Sequence, residues 1–146
     1  VKLLLQRVSQ AQVQVGGETV GAIGPGLLAL VGVERGDDGI LAQRLTERML
    51  NYRMFSDQQG KMNLSVRDIQ GGVLLVSQFT LAADTDKGLR PGFSIAAAPE
   101  QAQQIYLDML AQLRRETTVQ VASGVFAADM QVMLINDGPV TFLLEG

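Results

Sequence analysis

The sequence contains no cysteine and no histidine. The first absence excludes disulfides, thiolate nucleophiles and Cys/His zinc centres. The second excludes Ser-His-Asp catalysis and removes the side chain most often used for proton transfer near neutral pH. Any metal would have to sit on oxygen ligands; neither a metal nor a cofactor is expected. No apolar run reaches the roughly 18 residues of a membrane-spanning helix. The start lacks the charged segment, apolar stretch and small-residue cleavage site of a secretory signal, so no membrane association is expected. Lack of cysteine is compatible with a cytoplasmic setting.

What is present is an ordinary folded composition. Hydrophobic residues make up 47% and charged residues 18% of 146 positions, which argues against disorder. That length suggests one domain, 1–146, able to bury roughly 70% of its unfolded surface. The net charge of -3 does not indicate a broadly basic nucleic-acid binder. The charge is uneven: residues 44–90 hold seven bases and five acids, +2, which leaves -5 elsewhere. This stretch is either a solvated mixed-charge surface or a local phosphate-contacting face.

Residues 2–15 read as a strand, with Ala11, Val13 and Val15 alternating with glutamines. Gly16-Gly17 is a turn signal and residues 18–23 return as a hairpin partner. Residues 27–33 form a nearly continuous apolar run, short enough for a buried strand. Asp37 or Asp38 is placed to cap a helix carrying Leu41, Leu45 and Met49 on one face, ending near Asn51. Residues 52–56 and 62–66 look extended, and 73–79 is an apolar strand. Residues 82–98 form a long loop. Pro99 opens a second helix, with a stripe of Ala102, Ile105, Tyr106, Met109, Leu110 and Leu113, ending near Glu116. Residues 117–121 are β-prone, and 129–135 and 140–144 read as strands separated by Asn136-Asp137-Gly138-Pro139. The order predicts an α+β fold with a curved, mostly antiparallel, barrel-like sheet and two packed helices.

Two polar interruptions stand out. In Ser77-Gln78-Phe79-Thr80, polar groups end an otherwise buried strand; they either face solvent or cluster at a pocket mouth. Ser77 and Thr80 are candidate nucleophiles or donors, and Gln78 is a candidate donor to a carbonyl oxygen. The second interruption, residues 136–141, reads as a tight turn joining two strands. A cis Gly138-Pro139 bond would make it rigid enough to present backbone groups to a ligand. Other features are weaker. Asp84 and Asp86 are a possible acid or metal pair, Arg90 a possible exposed cation. Arg7 lies in an apolar strand and needs a partner if buried. Phe126 and Met130 read as core or interface.

Taken together, SQFTLAADT (77–85) and NDGPVTF (136–142) resemble the signature pair of the D-aminoacyl-tRNA deacylases, also called D-tyrosyl-tRNA deacylases. LLQRV (4–8), FSDQQGKMNLSV (55–66) and FAADMQV (126–132) are similar to that family as well, so the resemblance covers essentially the whole chain. It implies a homodimer of β-barrel-like subunits that hydrolyses the ester between a D-amino acid and the 3′-terminal adenosine of tRNA. Glycyl-tRNA is an implied achiral substrate, L-aminoacyl-tRNA is left alone, and the cytoplasm is the implied location. By the same resemblance, Ser77, Gln78, Phe79 and Thr80 form one wall of the pocket. Gly138-Pro139 matches a cis dipeptide that each subunit inserts into the other's site. Arg7 matches the residue that holds it, and Phe126 and Met130 match the region near the terminal adenine.

Thr80 is the nucleophile candidate by resemblance, yet no base is evident to activate it. The absence of histidine favours assistance by the substrate's ribose 2′-OH, with Thr80 positioning and backbone N–H groups near Phe79 and Thr80 stabilising the oxyanion. The rival readings are a noncatalytic RNA-end or small-ligand binding module on the same fold, and a structural dimer.

Overall fold

The computed structural model describes residues 1–117 and 119–146. Strand β1 (Lys2–Val15) is the organiser. It pairs antiparallel with β2 (Glu18–Ile23) and β3 (Gly26–Gly32) along one edge and with β8 (Gln131–Glu145) along the other. The next strand, β6 (Gly72–Ser77), adds to β3 in parallel, and β7 (Val121–Ser123) adds to β6 in parallel. Parallel neighbours need a long crossover. The two crossovers carry helices α1 (Gly39–Asn51) and α2 (Pro99–Glu116). The sheet is therefore more mixed than the expected mostly antiparallel one, although α+β with a curved sheet and two helices is what is seen.

The ends of the sheet nearly meet. Gln120 Nε2 donates to Ala22 O at 3.1 Å. A Cβ on Gly21 would collide with the Ser123 carbonyl oxygen, so glycine permits the approach of β2 to β7. The result is barrel-like.

This closure explains the unbroken apolar runs of β3 and β6, because both faces of these strands are buried. On one face Leu27, Ala29, Val73 and Leu75 pack with Leu45 and Met49 of α1 and with Ile105, Met109 and Leu113 of α2. On the other, Leu28, Leu74 and Val76 meet Val8, Val13 and Ile23 inside the barrel. Each fully buried leucine or valine contributes about 1.5–3 kcal/mol. Helix α1 starts at Asp38, whose carboxylate accepts from Leu41 N at 2.8 Å, and Pro99 occupies the first turn of α2.

Three expectations need correction. The strand read over 73–79 stops at Ser77. Gln78 N still donates to Val31 O at 2.7 Å, but the chain then enters a 3-10 turn, Phe79–Ala82, whose first bond is Leu81 N to Gln78 O at 3.1 Å. The extended segments at 52–56 and 62–66 shorten to a ribbon of β4 (Phe55–Ser56) and β5 (Met62–Leu64). Asp57 closes its loop by accepting from Gln59 N and Lys61 N at 2.8 and 3.0 Å, bonds that hold its carboxyl below the ordinary value. Finally, residues 136–139 do not join two strands. Both halves of β8 pair with β1, Asn136 with Val8 and Thr141 with Gln6, so Arg7 alone stands opposite residues 137–140. The interruption is a large bulge within one strand. The β-prone reading of 117–121 includes Thr118, which lies outside the described residues; the strand seen there begins at Val121.

Candidate active site

A cavity of about 480 Å3 opens at the carboxyl ends of parallel strands β3 and β6. That volume lies within the range of small-molecule sites. Val31 and Val33 line it from β3 and its continuation, and Val76 with Ser77 from β6. Gln78, Phe79 and Thr80 form one rim as the strand passes into the 3-10 turn. Phe126, Met130 and Val132 line it as well. The structure thus brings Ser77, Gln78, Phe79, Thr80, Phe126 and Met130 to one cavity, although 46 residues separate Thr80 from Phe126.

The polar rim is internally organised. Gln78 Nε2 donates to Thr80 Oγ1 at 2.6 Å, which fixes both side chains at the mouth. The N–H groups of Phe79 and Thr80 precede the first hydrogen bond of the 3-10 turn, and among the described residues neither has an acceptor. Two adjacent free donors at a cavity rim suit an oxygen that acquires negative charge.

Among the described residues, no aspartate, glutamate, lysine or arginine lines the cavity. Among the described residues its one ionisable lining group is Tyr106. Burial pushes that phenol up to about 12, and its hydroxyl donates to Leu75 O at 2.8 Å, away from any base role near neutral pH. The Tyr106 and Phe126 rings lie against each other at a tilt of 44°, with ring centres 5.9 Å apart. Asp84 and Asp86 do not reach the cavity; Asp84 Oδ1 accepts from Asp86 N at 3.0 Å in an exposed turn. Among the described residues no group of three or more acidic side chains is arranged to hold a metal.

Several lining residues were not singled out in the sequence. Ala96 and Ala97 leave space that the cavity occupies. Their only signal was the small-residue composition of the 82–98 loop and its junction with α2. Ala127 adopts a φ of +64° beside the cavity, a conformation rare for alanine that composition does not disclose.

Arg7, Gly138 and Pro139 do not line this cavity in their own chain. They form a second, well-braced feature. Arg7 Nε donates to Asp137 O at 2.8 Å and Arg7 Nη1 to Met54 O at 3.0 Å, which ties the bulge to the segment before β4. Asn136 Oδ1 accepts from Val140 N at 2.7 Å, and Asn136 Nδ2 donates to Val140 O at 3.2 Å. The Gly138-Pro139 peptide is cis, and both residues are exposed. Asn136, a brace that side-chain type alone did not reveal, closes the base of the bulge.

The sequence pattern of the family described as D-Tyr-tRNA(Tyr) deacylase matches residues 4–145. A D-aminoacyl-tRNA deacylase of Azotobacter vinelandii is 61% identical over 145 residues, 99% of each chain. One of Sodalis glossinidius is 60% identical over 97% of each chain. A solved structure described as c-Myc DNA Unwinding Element Binding Protein is 42% identical, with a TM-score of 0.95 over 100% of this chain and 99% of that one. No helix among the described residues is long and apolar enough to cross a membrane.

Proposed function

The chain belongs to the D-Tyr-tRNA(Tyr) deacylase family, and we propose that it hydrolyses the ester joining a D-amino acid to the 3′-terminal adenosine of tRNA. The products are free tRNA and the D-amino acid; glycyl-tRNA is a second, achiral substrate. The carrying observation is the meeting of the Ser77–Thr80 rim with Phe126 and Met130 on one cavity that, among the described residues, holds no carboxylate or amine.

In this reading the acyl group lies against Ser77, Gln78 and Thr80, and the adenine against Phe126 and Met130. Water adds to the ester carbonyl carbon, the carbonyl oxygen gains negative charge, and the Phe79 and Thr80 N–H groups stabilise it. The bond to the ribose 3′ oxygen then breaks and that oxygen takes up a proton. With no carboxylate or amine on the cavity wall among the described residues, the neighbouring ribose 2′-OH assists proton movement, and the protein contributes positioning.

Chirality follows from backbone placement. A carbonyl standing where an L side chain must go rejects the L substrate sterically, whatever that side chain is. The braced bulge at Gly138-Pro139 suits this task, and it is exposed and does not line the cavity of its own chain. It therefore acts in a second copy: the functional unit is a homodimer in which each subunit's Gly138-Pro139 enters the other's site. Arg7 holds the dipeptide in place. Exposed Met133, Ile135 and Leu143 on the same strand supply apolar surface for such a contact. Action on tRNA sets the protein in the cytoplasm as a proofreader of aminoacyl-tRNA.

Thr80 separates two mechanisms. If the 2′-OH assists and Thr80 only positions, Thr80→Ala keeps kcat within about tenfold of wild type. Loss of a true nucleophile costs on the order of 10⁶-fold. Single-turnover hydrolysis of D-tyrosyl-tRNA, with substrate binding measured separately, distinguishes them. A collapse of turnover with binding and fold intact would return Thr80 to the nucleophile role.

A further inference from the structure

Phe79 stands at the rim of the cavity. It is 58% exposed there and packs against Phe93, itself 39% exposed, with ring centres 4.7 Å apart and planes tilted by 40°. Two phenylalanines held against each other on the outside of a protein leave apolar faces open to solvent, and single-stranded bases stack on such faces.

The backbone fixes this pair. Asp84 N donates to Gly92 O at 2.7 Å and Gly92 N to Asp84 O at 3.0 Å, which closes residues 85–91 into a projecting loop immediately before Phe93. Beyond Phe93, Arg35 N donates to Ile95 O at 2.8 Å and Ala97 N to Val33 O at 3.0 Å. These bonds hold the 93–97 segment along the end of β3, where Ala96 and Ala97 line the cavity. The projecting loop carries Lys87 and Arg90, both exposed, and among the described residues neither makes an ion pair. Aromatic faces beside unpaired cations are the combination that tracks an unpaired nucleic-acid strand. Asp84 and Asp86 lie on the same loop, and the Asp84 carboxylate is engaged with the Asp86 amide.

Resting on the ester-hydrolase reading above, we propose that Phe79 and Phe93 form a stacking subsite for the unpaired nucleotide that precedes the terminal adenosine, with Lys87 and Arg90 beside its phosphates. The subsite continues the adenosine cavity outward and gives the enzyme a hold on RNA that a lone aminoacyl nucleoside does not offer.

The test compares D-tyrosyl-tRNA with D-tyrosyl-adenosine. Phe93→Ala raises KM for the tRNA substrate about tenfold with little change in kcat, and leaves both constants for D-tyrosyl-adenosine unchanged. Phe93→Tyr, which keeps the ring, restores the wild-type KM. An unchanged KM for tRNA, or an equal rise for both substrates, overturns the subsite and leaves hydrolysis intact. A changed sedimentation coefficient in Phe93→Ala would assign the rings to a subunit contact and also overturn it. If wild type cleaves neither substrate, the hydrolase reading fails first and the subsite fails with it.

Discussion

Phe79→Pro lowers kcat for D-tyrosyl-tRNA about 10²- to 10³-fold, whereas Phe79→Ala keeps kcat within about tenfold of wild type. The two variants differ in one relevant atom group, the N–H of residue 79. Both remove the ring, so both weaken the stacking contact and raise KM for tRNA. Only proline removes the donor. The position tolerates it: residue 79 opens the 3-10 turn, where a missing N–H breaks no internal bond. Gln78, at φ -141° and ψ 82°, already lies outside the α region that a following proline disfavours. Steady-state kinetics on the two variants checks the assignment. A wild-type kcat in Phe79→Pro removes that N–H from the oxyanion site.

Gly138→Ala costs the enzyme its chirality. Gly138 sits at φ +151°, a conformation that L side chains rarely adopt. An added Cβ would stand 2.6 Å from Val140 Cγ2, 2.8 Å from Val140 N and 3.3 Å from Arg7 Nη2. Backbone strain of this kind costs about 1–3 kcal/mol. Relief requires the bulge to move, and the carbonyls that exclude an L side chain move with it. The ratio of kcat/KM for D- over L-tyrosyl-tRNA is expected to fall on the order of 10²-fold, with the D activity itself reduced. Val140 is itself a buried core residue, so circular dichroism and a thermal melt establish that the variant is folded before the ratio is read. An unchanged ratio in folded protein would mean that the bulge is not the filter.

The physical reasons for what was and was not legible in the sequence are specific. The strands at 2–15 and 18–23 were readable because alternation and a Gly-Gly turn are local signals. The run at 27–33 was readable as buried, but its parallel pairing with β6 was not, since pairing is decided by where α1 returns the chain. The 136–139 segment shows the limit most plainly. Asparagine, aspartate, glycine and proline ordinarily end a strand, and here pairing with β1 on both sides carries the strand through them. At the site, the polar rim announced itself as hydroxyl and amide groups at the end of an apolar strand. Phe126 and Met130 did not, because they carry no chemical signal and reach the cavity only through the second crossover. Phe93 lies in a loop without periodicity, and its contact with Phe79 depends on backbone bonds that composition does not encode.

The most direct measurement is amino-acid release from D-tyrosyl-tRNA and L-tyrosyl-tRNA by the purified protein, side by side. Release from the D ester alone is the expected result. Release from neither, with tRNA binding retained, would make this chain a binding module and contradict the hydrolase reading. Release from both at similar rates would leave the cavity catalytic and contradict the Gly138-Pro139 filter.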